Sequence, residues 1–401
     1  MALYKWKAYL VVFVIAAGFD VVAVSVGGGS LRLSIVVLLG FVITRLPVLL
    51  QKEVFNPSRL LLVFLLLSFL ACAVHFSFRS VLEYGHWISI IVSFYFAGQI
   101  VGKKISWPAV YEGYAIAFRV QIGVGLLLWL LVGGRIDLFY YEPSYFVLAS
   151  VPYLVIAARN VLRKVTSVDA LFILAFLIIT QSATLLATVG LAFAANFIKR
   201  PNSALLVLLC LLPVILFLPS ILVTGSDNLL SSTIFGFIES PDKIRFFLER
   251  GGNRWPRLLI GWDLLTENLL WGIGPGQVSQ VLSERDLAQY IGDRWWMRLD
   301  DKPITNVFLE LAVDVGVIPT AFLFAFFLRT IWRVHSRGHW ELSSSLVIMM
   351  LVMMGMSSIF RPYVWLLLGL STTVESRQAI AKSRRQTNLR QQNTFDTYAP
   401  H

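Results

Sequence analysis

The sequence predicts an all-α polytopic membrane protein with about 12 transmembrane helices and one large helical loop on the outer side. Three observations carry that reading. Apolar runs of about twenty residues, the length a helix needs to cross a bilayer, recur along the 401 residues. Only 14% of the residues are charged and 57% are hydrophobic, whereas a soluble domain carries about a quarter charged residues. The basic residues also collect in alternate short loops between the runs.

Taken in order, the apolar runs fall at 6–26, 31–51, 59–79, 85–102, 107–133, 143–160, 168–181, 183–198, 203–224, 304–332, 341–360 and 362–375. They divide the chain into nine spans over 1–224, a polar insert over 225–303, three spans over 304–375, and a basic, disorder-prone tail over 376–401. Lys103 and Lys104, Arg163 and Lys164, Lys199 and Arg200, and Arg333 and Arg337 all follow even-numbered spans. The positive-inside rule then places both termini in the cytoplasm and the insert outside. The stretch 169–197 is too long for one ordinary helix, and both its flanks are basic. A break near Gln181-Ser182 satisfies the charge rule. Lys5 and Lys7 precede a first run long enough to remain as a span, with no small-residue cleavage site after it.

Charge and cysteine content exclude other classes. The net charge of +11 sits mainly in the short loops and the tail, where it sets topology, so no nucleic-acid partner is expected. Cys72 and Cys210 lie inside apolar runs and read as small core residues, not as a disulfide framework. There is no phosphate-binding glycine loop, dinucleotide fingerprint or nucleophile elbow, and no cofactor is expected. The adjacent Asp300-Asp301 lacks a further spaced carboxylate, so no metal site is expected either.

Of the 34 basic and 23 acidic residues, nine and eleven fall in the insert, which makes it the natural place for aqueous chemistry. Arg245, Arg250, Arg254 and Arg257 lie within thirteen residues of one another. Arg79, Arg135 and Arg361 sit at span ends on the same predicted side. Guanidinium groups converging there suit a diphosphate, because each fork makes charge-assisted bonds to phosphate oxygens. Pairing with the insert's own acids is the bland alternative. Arg119, near the middle of the fifth span, is costly in a bilayer and points to a polar cavity or to a structural pair with Glu112. Glu142 precedes Pro143, the expected first residue of a helix. It is either a base, an anchor for an arginine, or an acid favoured by the helix dipole.

Three stretches together resemble the O-antigen polymerase and ligase family of membrane glycosyltransferases. One is Glu142-Pro143-Ser144 opening a helix. The second is Arg254, Trp262 and the glycine turn Gly272-Ile273-Gly274-Pro275-Gly276. The third is Asn306-Val307-Phe308-Leu309-Glu310 followed by Asp314-Val315-Gly316. The order of the motifs and the hydropathy plan match along nearly the whole chain. The ligase branch typically has a His before the Asn; here the residue is Thr305, which favours the polymerase (Wzy-type) branch over the ligase.

The resemblance implies a metal-independent glycosyl transfer at the periplasmic face of a bacterial inner membrane. Its substrates would be glycans carried on undecaprenyl diphosphate, joined into O-antigen or a related surface polysaccharide within membrane lipid. It assigns Glu142 and Arg254 as catalytic. Arg119, Arg135, Arg250, Arg257, Arg361 and Asn306 are the candidates for diphosphate and glycan binding. A chain-length regulator protein is the partner this reading leaves open. A carrier or flippase is the rival from another class, which the lack of an internal repeat disfavours.

Overall fold

The computed structural model describes residues 2–19, 22–26, 29–49, 58–163, 167–198, 239–241, 254–285, 287, 290, 303–357 and 359–373. The predicted ninth span, Arg250, Asp300-Asp301 and the basic tail lie outside them.

The chain begins with α1 (Ala2–Ala17) and then makes an antiparallel pair of strands, β1 (Ala23–Val26) and β2 (Gly29–Arg32). The predicted first span is therefore shorter than its apolar run. Alternating valines and the glycines at 27–29 disfavour a helix. Only Gly27-Gly28 separates the paired Val26 and Gly29, the composition that tight hairpins use. Apart from this hairpin the regular secondary structure of the described residues is helical. Next come α2 (Leu33–Thr44), α3 (Leu46–Leu49), α4 (Arg59–Val74) and α5 (Phe78–Ile90). A π turn at Ile91–Tyr95 joins α5 to α6 (Phe96–Lys104). Then follow α7 (Trp107–Val132), α8 (Pro143–Leu162), α9 (Ser167–Thr180) and α10 (Ala183–Phe197).

Four helical stretches among the described residues are long and apolar enough to cross a membrane: 78–104, 107–132, 143–162 and 317–336. Six further apolar helices are shorter. The count of about twelve spans is not confirmed: among the described residues four helical stretches have full crossing length. Leu127, Leu130 and Leu131 stand exposed on α7, an apolar face that fits a membrane protein.

α8 is the axis of the array. It is buried nearly all round, packed by α7, α9 and α10. Hydrogen bonds from Asn160 on α8 to Asp169 near the start of α9, and from Asn196 to Val155 O, fix the directions. α9 runs antiparallel to α8, and α10 returns parallel to it. The break between α9 and α10 falls at Gln181-Ser182, where Gln181 takes φ 46°, as the charge pattern predicts.

Beyond the insert's first segment the chain forms α11 (Arg254–Glu267), α12 (Val278–Ser283), α13 (Val307–Val315), α14 (Val317–Ser336), α15 (Trp340–Met353) and α16 (Pro362–Thr372). The predicted span 304–332 is broken in two at Gly316, which has φ 91°. A helix end leaves carbonyls unpaired. Here the glycine turn supplies their donors: Ile273 N bonds Val313 O at 2.8 Å and Gly274 N bonds Asp314 O at 2.9 Å. α13 therefore belongs with the insert, packed against α11 through Ile260, Leu264, Ile304 and Val313 in a small apolar core of their own. The long apolar helix starts only at Val317.

Candidate functional site

Two proline-started helices build the site. Pro143 and Pro362 occupy the first turns of α8 and α16, where a fixed φ and a missing N–H cost nothing. Proline also forces the residue before it to be extended. Glu142 has φ −149° and ψ 155°, and Arg361 has φ −99° and ψ 129°; neither side chain caps its own helix. Both are left to face a cavity.

That cavity has a volume of about 580 Å³. Glu142, Arg254, Arg257 and Arg361 all line it, joined by Arg32, Tyr145 and Thr305. Four guanidinium groups and one carboxylate thus share one space, brought from four separate stretches of sequence. Arg361 is only 8% exposed. Its guanidinium lies 3.8 Å from the centroid of the Tyr145 ring, a cation–π seat that holds a flexible side chain in place. The Tyr145 hydroxyl in turn reaches Ser357, 2.9 Å from its Oγ. Ser144 Oγ donates to Glu142 Oε2 at 3.0 Å. Arg257 Nε donates to Pro303 O. Burial lowers the Arg257 guanidinium from its usual value, with Arg254 adding repulsion, while Glu310, Tyr145 and Glu142 pull the other way. Guanidinium ions keep their charge even so. Such a cluster offers planar, multidentate binding to a phosphate or diphosphate.

Thr305 lies at the floor, 4% exposed, and its Oγ1 has no hydrogen-bond partner among the described residues. Its neighbour Asn306 holds it there. Asn306 takes φ 87°, a strained conformation for a residue with a side chain. Its Oδ1 accepts from Phe308 N at 3.0 Å and Leu309 N at 3.3 Å, capping α13. Asn306, expected to bind substrate, has its side-chain oxygen committed to the helix start and stands outside the residues that line the cavity.

Two more expected residues fall elsewhere. Arg135 is exposed and donates to Thr180 O at 3.1 Å, closing the loop before α8 onto the end of α9. Arg119 lines a different cavity, of about 720 Å³, together with Lys103, Arg159 and His339. Its partner is not Glu112, which bonds Lys7. Arg119 Nε and Nη2 both bond Asp169 Oδ1, at 3.1 and 2.8 Å. Tyr153 and Asn160 bond the same carboxylate. Through this half-buried pair Arg119 ties α7 to α9.

Sequence reasoning did not single out Arg32, Tyr145 or Ser357. Arg32 stands at the end of a strand inside an apparent span, and the other two carry no charge. Only the fold brings them in. No protein-family model and no curated protein matches the chain.

Proposed function

We propose that this chain is a polymerase of lipid-linked glycans, joining repeat units carried on undecaprenyl diphosphate into a surface polysaccharide. The convergence of Arg254, Arg257 and Arg361 with Glu142 in one cavity is the observation that supports it. In this reading the cavity faces the periplasm and the arginines hold the diphosphate of the donor. The acceptor's hydroxyl oxygen attacks the anomeric carbon of the donor sugar. A new C–O bond forms as the bond from that carbon to the diphosphate oxygen breaks. Glu142 takes the hydroxyl proton, and the bonding pair leaves with the diphosphate. The added charge on that leaving group is what fixed guanidinium ions stabilise. The reaction draws its free energy from cleavage of the bond between the sugar and the diphosphate, so it needs no nucleotide sugar.

The test is polymer length in a strain lacking its own copy, complemented with wild type or Arg254→Ala at equal membrane expression. Wild type should give a ladder of long chains, and Arg254→Ala should collapse it to a single repeat unit. An unchanged ladder with the variant would remove Arg254 from the mechanism. Restored attachment of finished polymer to an acceptor, with no change in chain length, would make the protein a ligase.

A further inference from the structure

Beside the arginine cavity lies a smaller one of opposite character. It has a volume of about 220 Å³, shares Pro303 with its neighbour, and is lined by Arg79, Glu83, Glu310 and Asp314. Glu310 and Asp314 are four residues apart on α13 and so share a face. The glycine turn bonded to the end of α13 fixes that face, and Gly276 forms part of the wall.

Asp314 is 7% exposed, and its Oδ1 has no hydrogen-bond partner among the described residues. A buried oxygen left in this state marks a place for a missing partner. Burial, helped by the Glu310 and Glu83 charges, pushes the Asp314 carboxyl well above the usual carboxylate range, against the Gly276 amide and Arg79. A protonated carboxyl donates as well as accepts.

The lining decides what can enter. A second phosphate would meet Glu83 and Glu310 and be repelled. A metal ion is not served either, since no group of three or more His, Cys, Asp or Glu among the described residues could hold one. A neutral ring bearing several hydroxyls fits: its O–H groups donate to Glu83 and Glu310 and accept from Arg79. The volume is below the ~300–1,000 Å³ of ordinary small-molecule pockets, which suits one ring and not a chain.

We infer that this acid-lined cavity seats the terminal, unphosphorylated sugar of the acceptor, with Glu310 and Asp314 as its hydroxyl partners. This rests on the polymerase reading, in which the diphosphate occupies the adjoining arginine cavity and a hydroxyl must be presented beside it. Glu310 lines the acid cavity, and its charge acts on Arg257 of the adjoining one.

The experiment is binding of the repeat-unit oligosaccharide, released from its lipid carrier by mild acid, to the purified full-length protein. It is read by saturation-transfer NMR and titration calorimetry. Wild type and Arg254→Ala should bind it alike. Glu310→Gln and Asp314→Ala should each weaken binding by about tenfold, the scale of one lost hydrogen bond to a buried group. Asp314→Asn, which keeps a neutral donor, should retain most of the affinity. Wild-type affinity in both Glu310→Gln and Asp314→Ala would overturn the inference even if long polymer is made. Oligosaccharide binding that depends on Glu310 in a protein that makes no polymer would instead overturn the polymerase reading and leave the sugar site standing.

Discussion

Asp314 carries a signature that can be read without any substrate. Its carboxyl is raised by burial from an ordinary value of 3.8, so the folded chain keeps a proton that the unfolded chain gives up. The resulting stability is complete below the unfolded value and is lost as pH rises through the folded one. Detergent-solubilised wild type should therefore lose thermal stability more steeply than Asp314→Asn does as pH rises above the ordinary carboxylate range; parallel curves would show that the carboxyl is ionised in the fold. What was legible at this scale followed local markers. Glu142 and Arg361 each precede a proline, and Arg254 and Arg257 belong to a dense basic run. Arg119 was read correctly as costly, but its partner was not, because Asp169 is fifty residues away in sequence. Asn306 was named a binding candidate from the resemblance, and the structure adds that its Oδ1 caps α13.

Elements succeed or fail by what interrupts them. The break at Gln181-Ser182 was legible because two short helices obey the loop charges and one long helix does not. The hairpin at 23–32 was hidden inside an apolar run, since hydropathy does not separate valines in strands from valines in spans. The stop at Gly316 was hidden too: it needs amides from the glycine turn some forty residues earlier. One close contact has a direct consequence for the site. α16, which carries Arg361 at its start, packs against the π turn at Gly369, where an added Cβ would stand 2.0 Å from Tyr95 O. Backbone cannot yield as a flexible side-chain tip can. Gly369→Ala should cost about 3 kcal/mol or more, sharply reducing the monodisperse peak in fluorescence-detected gel filtration. A normal peak would mean that α16 can shift without penalty.

Across the whole molecule, two charged cavities of opposite sign lie side by side where the insert docks on the helix array, while the Arg119 cavity is separate from both. The plan of apolar runs around one polar insert was legible from composition. Which arginines meet was not, because Arg32, Arg257 and Arg361 are spread over more than three hundred residues and converge only in the fold. The measurement that bears most directly on this arrangement is binding of polyprenyl diphosphate to the purified protein, compared with polyprenyl monophosphate, in wild type, Arg254→Ala and Arg257→Gln. Multidentate guanidinium binding predicts that wild type prefers the diphosphate by at least about tenfold and that each variant loses most of that preference. Equal affinity for the two lipids, or a preference untouched by both substitutions, would contradict the assignment of the arginine cavity to a diphosphate.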